Sequence, residues 1–151
     1  LPDAVASVAD VCRNAGGHWA RIGRCRFAYA FPCPANSDGH ALAKRMQAAL
    51  PDPQTTSLTL GVAYYPIDNH SRSQIIDNAE KALHHAEFFG PGSVTEFDAV
   101  SLNISGDRLY QEGDIQGAID EFQKGLRLDP VDIHLLLAKL RRAAAGHLGR
   151  M

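Results

Sequence analysis

Two segments decide the fold: Leu58-Thr-Leu-Gly-Val-Ala-Tyr-Tyr-Pro66 and, after it, Asn78-Ala-Glu-Lys-Ala-Leu-His-His-Ala-Glu87. Every second residue from Leu58 to Tyr64 is apolar or aromatic, which predicts a strand over Ser57–Tyr65. The second segment lies within Ser73–Phe89, where apolar residues recur at spacings of three and four and predict a helix. A strand followed by a helix is typical of α/β layer structures.

The flanking sequence continues this alternation of strands and helices. Aromatic residues alternate with small ones towards Phe31 and a glycine lies near the middle of the stretch, so Trp19–Phe31 is predicted to form a β-hairpin. The other predicted elements are helices over Asp3–Asn14 and His40–Leu50 and a short strand over Val94–Phe97. The expected fold class is therefore α/β.

The pattern changes after Asp98, because no further strand is predicted. Only helical spacing follows, and the last predicted helix runs from Val131 to about Ala145. We therefore predict two units, residues 1–98 and residues 99–151, with the boundary between Asp98 and Asn103.

Bulk composition excludes several classes of protein. The 151 residues are 45% hydrophobic and 21% charged, which is ordinary for a globular protein and unlike a disordered chain. A net charge of −2 gives no support to nucleic-acid binding, and no apolar run approaches the roughly 20 residues of a membrane span. Cys12, Cys25 and Cys33 form no Cys-x-x-Cys pair, which predicts free thiols in a reducing cytoplasm.

In this order, the elements resemble those of the GGDEF domain, the fold of diguanylate cyclases. Leu58–Pro66 is similar to the family's S-x-G-[IV]-A-x-x-P strand, and Asn78–Glu87 to its A-D-x-A-L-Y-x-A-K helix. The resemblance covers roughly Asp3–Asp98 and implies a nucleotide-cyclase-like, ferredoxin-like domain of sheet and helices. It also implies that the sequence lacks the family's first strand and first helix, which would precede residue 3.

The resemblance places Gly23-Arg24-Cys25-Arg26-Phe27 where the family carries Gly-Gly-Asp-Glu-Phe. In the family, paired glycines let the backbone approach the nucleotide, and the acids help to hold the divalent cation that neutralises the triphosphate. Arg24 instead adds a long side chain, Cys25 a sulfur and Arg26 a positive charge. We therefore expect no catalytic residue, no metal and no cofactor at this hairpin.

Other positions of the family pattern also differ. Glu87 stands in place of a phosphate-contacting lysine, and Pro91 in place of an arginine. Arg13–Gly16 lacks the aspartate of the family's inhibitory R-x-x-D site. Together these differences predict an inactive homologue of diguanylate cyclases rather than an enzyme.

Two alternatives stay open from the sequence. Arg21, Arg24 and Arg26 alternate along the hairpin and could bind the phosphates of GTP or cyclic di-GMP without metal or turnover, although a solvated surface is the simpler interpretation. The other alternative is an active diguanylate cyclase, which would join two GTP molecules with the help of magnesium if the missing elements came from elsewhere.

The segment Gly106–Pro130 resembles a tetratricopeptide (TPR) repeat, a hairpin of two helices. The helices are expected on either side of Glu112-Gly113-Asp114, and Gly125 stands at the last small position of the pattern. Leu109 occupies the aromatic position, and Tyr110 falls one place late. The residues that fit are Gly106, Gly113, Asp114, Ala118, Phe122 and Pro130.

A single helical hairpin cannot bury both of its faces, so it usually needs neighbours. The resemblance thus implies a docking surface for a protein partner or a second protomer, with candidate contacts at Leu109, Tyr110, Phe122 and Leu126. We expect a non-catalytic, cytoplasmic signalling module of bacterial cyclic-di-GMP pathways. The adjacent His84 and His85 point in different directions on a helix and predict no paired metal site.

Overall fold

The computed structural model describes residues 2–34, 38–67 and 70–130, together with residues 138, 141–142, 144–146 and 148–149. Helices and short strands alternate over the first part and helices follow, so the fold is mixed α/β. The helix predicted over Val131–Ala145 falls largely outside the described residues, and those of its residues that are described are helical.

Aspartates begin three of the helices in the described ranges. The side chains of Asp38, Asp98 and Asp114 each accept a hydrogen bond from the backbone N–H three residues on, which satisfies a donor that the helix leaves free. No helix in the described part of the chain is long and apolar enough to cross a membrane. The helices are α1 (Pro2–Asn14), α2 (Gly39–Ala48), α3 (Ile75–Glu87), α4 (Ala99–Glu112) and α5 (Ile115–Leu128), with a 3₁₀ turn at Arg72–Gln74 before α3.

The described β-structure forms two separate pairs of strands. β1 (His18–Arg21) and β2 (Phe27–Ala30) make the antiparallel hairpin that the sequence predicted. β3 (Leu60–Val62) runs parallel to β4 (Val94–Glu96). The strand predicted over Ser57–Tyr65 was too long, because only three of its residues face a partner strand.

One buried cluster joins α1 and α2 to both strand pairs. Tyr29 and Phe31 pack against it from the hairpin, and Leu58 and Leu60 pack against it from the segment of β3. The two pairs therefore share a core although they are not hydrogen-bonded to each other in the described residues. The buried members of the cluster are Ala4, Val8, Cys12, Leu42, Met46 and Leu50.

Gly61 sets the distance between β3 and α3. A Cβ at this position would lie 2.2 Å from both the carbonyl oxygen of Ala79 and the backbone nitrogen of Leu83. Any side chain here would overlap the helix backbone, so only glycine permits this close approach.

The apolar core continues across the boundary predicted after Asp98. Ala82 of α3 shares a buried cluster with Phe97 and with Leu102 of α4. Helix α4 is thus packed beside α3, and the residues on the two sides of the boundary form a continuous core.

Helices α4 and α5 are joined by a tight turn and pack closely. Gly113 ends α4 with a φ of 90°, a left-handed conformation that favours glycine. Gly106 lies against the ring of Phe122, where an added Cβ would be 2.4 Å from Cε1. The two helices on either side of residues 112–114 are as the sequence predicted.

Candidate functional site

The turn between β1 and β2 is closed by its own backbone and by Arg21. The N–H groups of Ile22 and Gly23 donate to the carbonyl oxygen of Arg26 at 3.0 and 3.2 Å. Arg21 folds over the turn, with Nε donating to the Gly23 carbonyl at 2.9 Å and Nη2 to the Arg24 carbonyl at 2.6 Å. Its guanidinium is therefore engaged by the hairpin itself.

The other residues of the segment Gly23–Phe27 divide into an exposed tip and an anchored end. Arg24 and Cys25 are exposed at the tip of the turn. Phe27 is half-buried, with its ring centroid 6.1 Å from that of Trp19 and 6.0 Å from the guanidinium carbon of Arg21. Of the three arginines considered as phosphate ligands, Arg21 is therefore bound by the turn and Arg24 is exposed at its tip.

Arg26 reaches from the hairpin to α3. Its Nη1 donates to Glu80 Oε1 at 2.6 Å, and its Nη2 lies 3.5 Å from His84 Nε2. Glu80 and His84 are four residues apart and share one face of the helix, so a single guanidinium meets both. This contact links the hairpin to α3 at the surface, where both side chains are nearly half exposed.

Helix α4 brings a second arginine to the same histidine. Arg108 Nη1 lies 3.1 Å from Nδ1 and 2.9 Å from Nε2 of His84, while its Nε is 3.4 Å from Glu112 Oε1. A groove of about 260 Å³ runs between α3 and α4 beside this contact, with His84, Arg108 and Lys81 in its walls. Three elements therefore converge on one imidazole.

Burial lowers the pKa of His84, and the charge of Arg108 lowers it further. The carboxylates of Glu87 and Glu80 act in the opposite direction but do not reverse the shift. The imidazole is therefore neutral near pH 7 and offers one nitrogen as a hydrogen-bond acceptor.

No sequence pattern predicted this cluster. The two neighbouring histidines contact different residues of α4, since His85 Nδ1 lies 3.3 Å from Ser101 Oγ and His84 Nδ1 lies 3.1 Å from Arg108 Nη1. The arginines beside His84 are 58 and 24 residues away in sequence. No spacing rule connects residues so far apart, so no local signal could have identified them.

The candidate partner contacts of the helical pair are partly buried. Phe122 is 2% exposed and fills the space beside Gly106, so it is a core residue and not a surface contact, contrary to the prediction. Leu109, Tyr110 and Leu126 pack half-buried around it. These side chains therefore contribute to the packing between α4 and α5.

A buried ion pair, which the sequence did not reveal, joins α3 to α5. Lys81 Nζ lies 2.8 Å from Glu121 Oε2 and 2.8 Å from Asp77 Oδ2, while Glu121 Oε1 accepts from Lys124 at 2.8 Å. Burial works against both charges, but hydrogen bonds outweigh it, so the pKa of Lys81 is raised and that of Glu121 lowered. Both groups are therefore charged over the neutral range.

No protein-family model, curated protein or solved structure matches this chain. Across residues 2–34, 38–67 and 70–130 and the described residues after them, no group of three or more His, Cys, Asp or Glu side chains is placed to hold a metal ion. The geometry above and the sequence motifs are therefore the basis for a functional proposal.

Proposed function

We propose that this chain is a degenerate, non-catalytic GGDEF-like module of bacterial cyclic-di-GMP signalling, which acts by protein–protein interaction through a TPR-type helical pair. The proposal has two parts: the cyclase-like hairpin carries out no chemistry, and the helical pair provides the contact surface.

The contact of Arg26 with Glu80 carries the first part. Arg26 stands where the family has a metal-binding acid, and its guanidinium donates to Glu80 at 2.6 Å. A fixed positive charge at that place repels a divalent cation, and Cys25 beside it offers a soft sulfur where magnesium prefers oxygen. The hairpin has thus exchanged a cation-binding position for an internal ion pair.

The arrangement of the strands supports a GGDEF-like origin. Hairpin, helix, strand, helix and strand follow one another in the order that the resemblance implies. Gly61, at the glycine of the S-x-G pattern, lies flush against α3.

Contacts within the helical pair support a TPR-type hairpin. Gly106 and Phe122 occupy two positions of that pattern and touch each other, and Ala118, at a third, is completely buried. Since α3 covers one side of α4, a partner would bind the surface that remains. Val100 on α4 is 47% exposed and is an apolar contact available there.

Enzymatic assay tests the first part. The purified chain is incubated with GTP and magnesium beside an active diguanylate cyclase as positive control, and cyclic di-GMP is measured by chromatography. We expect no product above background. Robust turnover would show that the hairpin is catalytic and would defeat the proposal.

Binding measurements test the second part. Cross-linking and sedimentation at rising concentration detect a second protomer, and two-hybrid screening identifies other partners. Val100→Glu should weaken the complex, whereas Gln123→Glu, an exposed change on α5, is the matched control. Equal binding by both variants and the original chain would place the interface away from α4.

A further inference from the structure

Two guanidinium groups lie against one imidazole where the hairpin, α3 and α4 meet. Arg26 Nη2 is 3.5 Å and Arg108 Nη1 is 2.9 Å from the same atom, His84 Nε2. Like charges held this close repel each other unless negative charge lies nearby. Because the three side chains come from separate elements, the fold itself brings them together.

We infer that Arg26, His84 and Arg108 form a binding site for a phosphate group carried by a small soluble ligand. The planar guanidinium fork matches phosphate oxygens with paired, charge-assisted hydrogen bonds. Both arginines reach the same point, so one phosphate can accept from both. The imidazole adds a third donor once it takes a proton.

Nearby carboxylates act as exchangeable counter-ions of this site. Arg108 and Glu112 are 3.4 Å apart and more than half exposed, while Arg26 and Glu80 are 2.6 Å apart and nearly half exposed. Exposed ion pairs of this kind are worth little. A phosphate monoester carries close to two negative charges, so it can replace these singly charged partners.

The groove between α3 and α4 gives the rest of the ligand a place to lie. It opens beside His84 and Arg108 and has a volume of about 260 Å³, and its walls carry Ile104 and Leu109 together with the carboxylates of Asp77, Glu80 and Glu112. With the phosphate beside His84 and Arg108, the remainder of a small phosphorylated metabolite can contact the two apolar side chains and donate hydroxyl hydrogen bonds to the carboxylates.

The site differs from the basic patch that the hairpin sequence suggested. Arg21 is occupied by its own turn, and Arg24 is exposed at the tip. Of the three hairpin arginines, Arg26 is the one whose guanidinium lies beside His84, the histidine that Arg108 also contacts. Arg24 is therefore a matched control, since it has the same charge on the same hairpin.

Titration with inorganic phosphate at constant ionic strength tests the proposal, with the ring signals of His84 followed by NMR. We expect a saturable shift and a rise in the pKa of His84, because bound phosphate favours the imidazolium form. Loss of one charged hydrogen-bonding partner in Arg108→Gln or Arg26→Gln should weaken binding about tenfold. Arg24→Gln should leave the affinity unchanged.

Glu80→Gln provides a test of opposite sign. Removing the competing carboxylate should tighten phosphate binding about threefold, given the small value of an exposed pair. This variant loses only the exposed ion pair with Arg26, and circular dichroism should show that it and the other variants are folded. A gain in affinity cannot be explained by damage to the structure.

Three results would overturn the inference. The first is the absence of a saturable shift up to tens of millimolar phosphate, and the second is an equal loss of affinity in Arg24→Gln, which would indicate general charge attraction. The third concerns the molecule that carries the phosphate. Glycerol phosphate should bind at least as tightly as inorganic phosphate. Much tighter binding of a phosphoserine peptide would show that the ligand is a phosphorylated protein instead.

Discussion

Two of the contacts that helix α3 makes with the rest of the molecule have opposite character. On one face Gly61 leaves no room for even a methyl group between β3 and the helix backbone. On the other face His84 lies beside two arginines whose side chains are about half exposed. Steric exclusion determines the contact between Gly61 and α3, whereas electrostatic interactions determine the contacts around His84.

The difference shows where this fold tolerates change. A close backbone contact fails when a single atom is added, because packed interiors deform little. An exposed polar contact can exchange partners at small cost, which is what a ligand or a regulatory protein requires. We therefore assign fold specification to the Gly61 face and binding to the His84 face.

Gly61→Ala should have the largest effect. The new Cβ would lie 2.2 Å from two backbone atoms of α3, and overpacking of this kind destabilises by about 3 kcal/mol. Urea denaturation followed by circular dichroism measures the free energy of unfolding. Gly23→Ala is the control, since its Cβ would be 3.4 Å from the nearest atom and should cost less than about 0.5 kcal/mol. An equal loss of unfolding free energy in Gly61→Ala and Gly23→Ala would show that the close contact between Gly61 and α3 does not specify the fold.

Glu121→Gln should come next, because it breaks the buried pair with Lys81 and leaves that charge with Asp77 alone. Removing one partner of a buried pair costs about 3 kcal/mol, and the exposed partner Asp77 should reduce that loss to about 2 kcal/mol. The same urea experiment measures it, with exposed Asp120→Asn as control. The double variant Lys81→Met with Glu121→Leu should recover much of the unfolding free energy lost in Glu121→Gln. If it does not, the ion pair makes a net stabilising contribution to the fold.

Local sequence patterns predicted helices α1 to α5, the hairpin, and the two strand segments that contain β3 and β4, but not that β3 and β4 pair in parallel. Apolar residues at every second position indicate a strand, and apolar residues at spacings of three and four indicate a helix. Both patterns can be recognised from a few neighbouring residues. The length of β3 was overestimated, because it depends on the partner strand, which is only three residues long. Strand pairing is set by tertiary contacts that no single segment contains.

The candidate site was much less predictable. The sequence singled out Arg26 only as one of three alternating arginines, with Arg21 and Arg24, that could bind phosphate, and a solvated surface was the simpler interpretation. Its true neighbours lie on α3 and α4, so only the folded chain brings them together. The prediction that Phe122 is a docking contact was wrong for a related reason. An apolar side chain suits a core position as well as a docking surface, and only the fold shows that the ring of Phe122 is buried against Gly106.

Stability should also fall as the pH is lowered through about 6.5 towards 5. Burial, with the nearby charges of Lys124 and Lys81, lowers the pKa of His70 below its usual 6.5, and the pKa of His84 is lowered as well. The unfolded chain therefore binds protons in this window before the native state does, which favours unfolding. Melting temperatures across this range measure the effect.

A histidine substitution separates this effect from acid unfolding in general. His70→Gln should flatten the slope of stability against pH between 6.5 and the lowered native pKa. His18→Gln, at an exposed position on β1, controls for the loss of a histidine as such. A slope that is unchanged in His70→Gln would show that other groups control stability in this range.

The smallest effect should come from the ion pair that joins the hairpin to α3. Arg26 and Glu80 are 2.6 Å apart but nearly half exposed, so a double-mutant cycle of Arg26→Gln and Glu80→Gln should give a coupling energy of about 0.5 kcal/mol. The coupling should shrink in 1 M salt, where exposed charges are screened. A value above about 2 kcal/mol would mean that this face is as rigid as the Gly61 face, and binding by counter-ion exchange at His84 would then be too costly to occur.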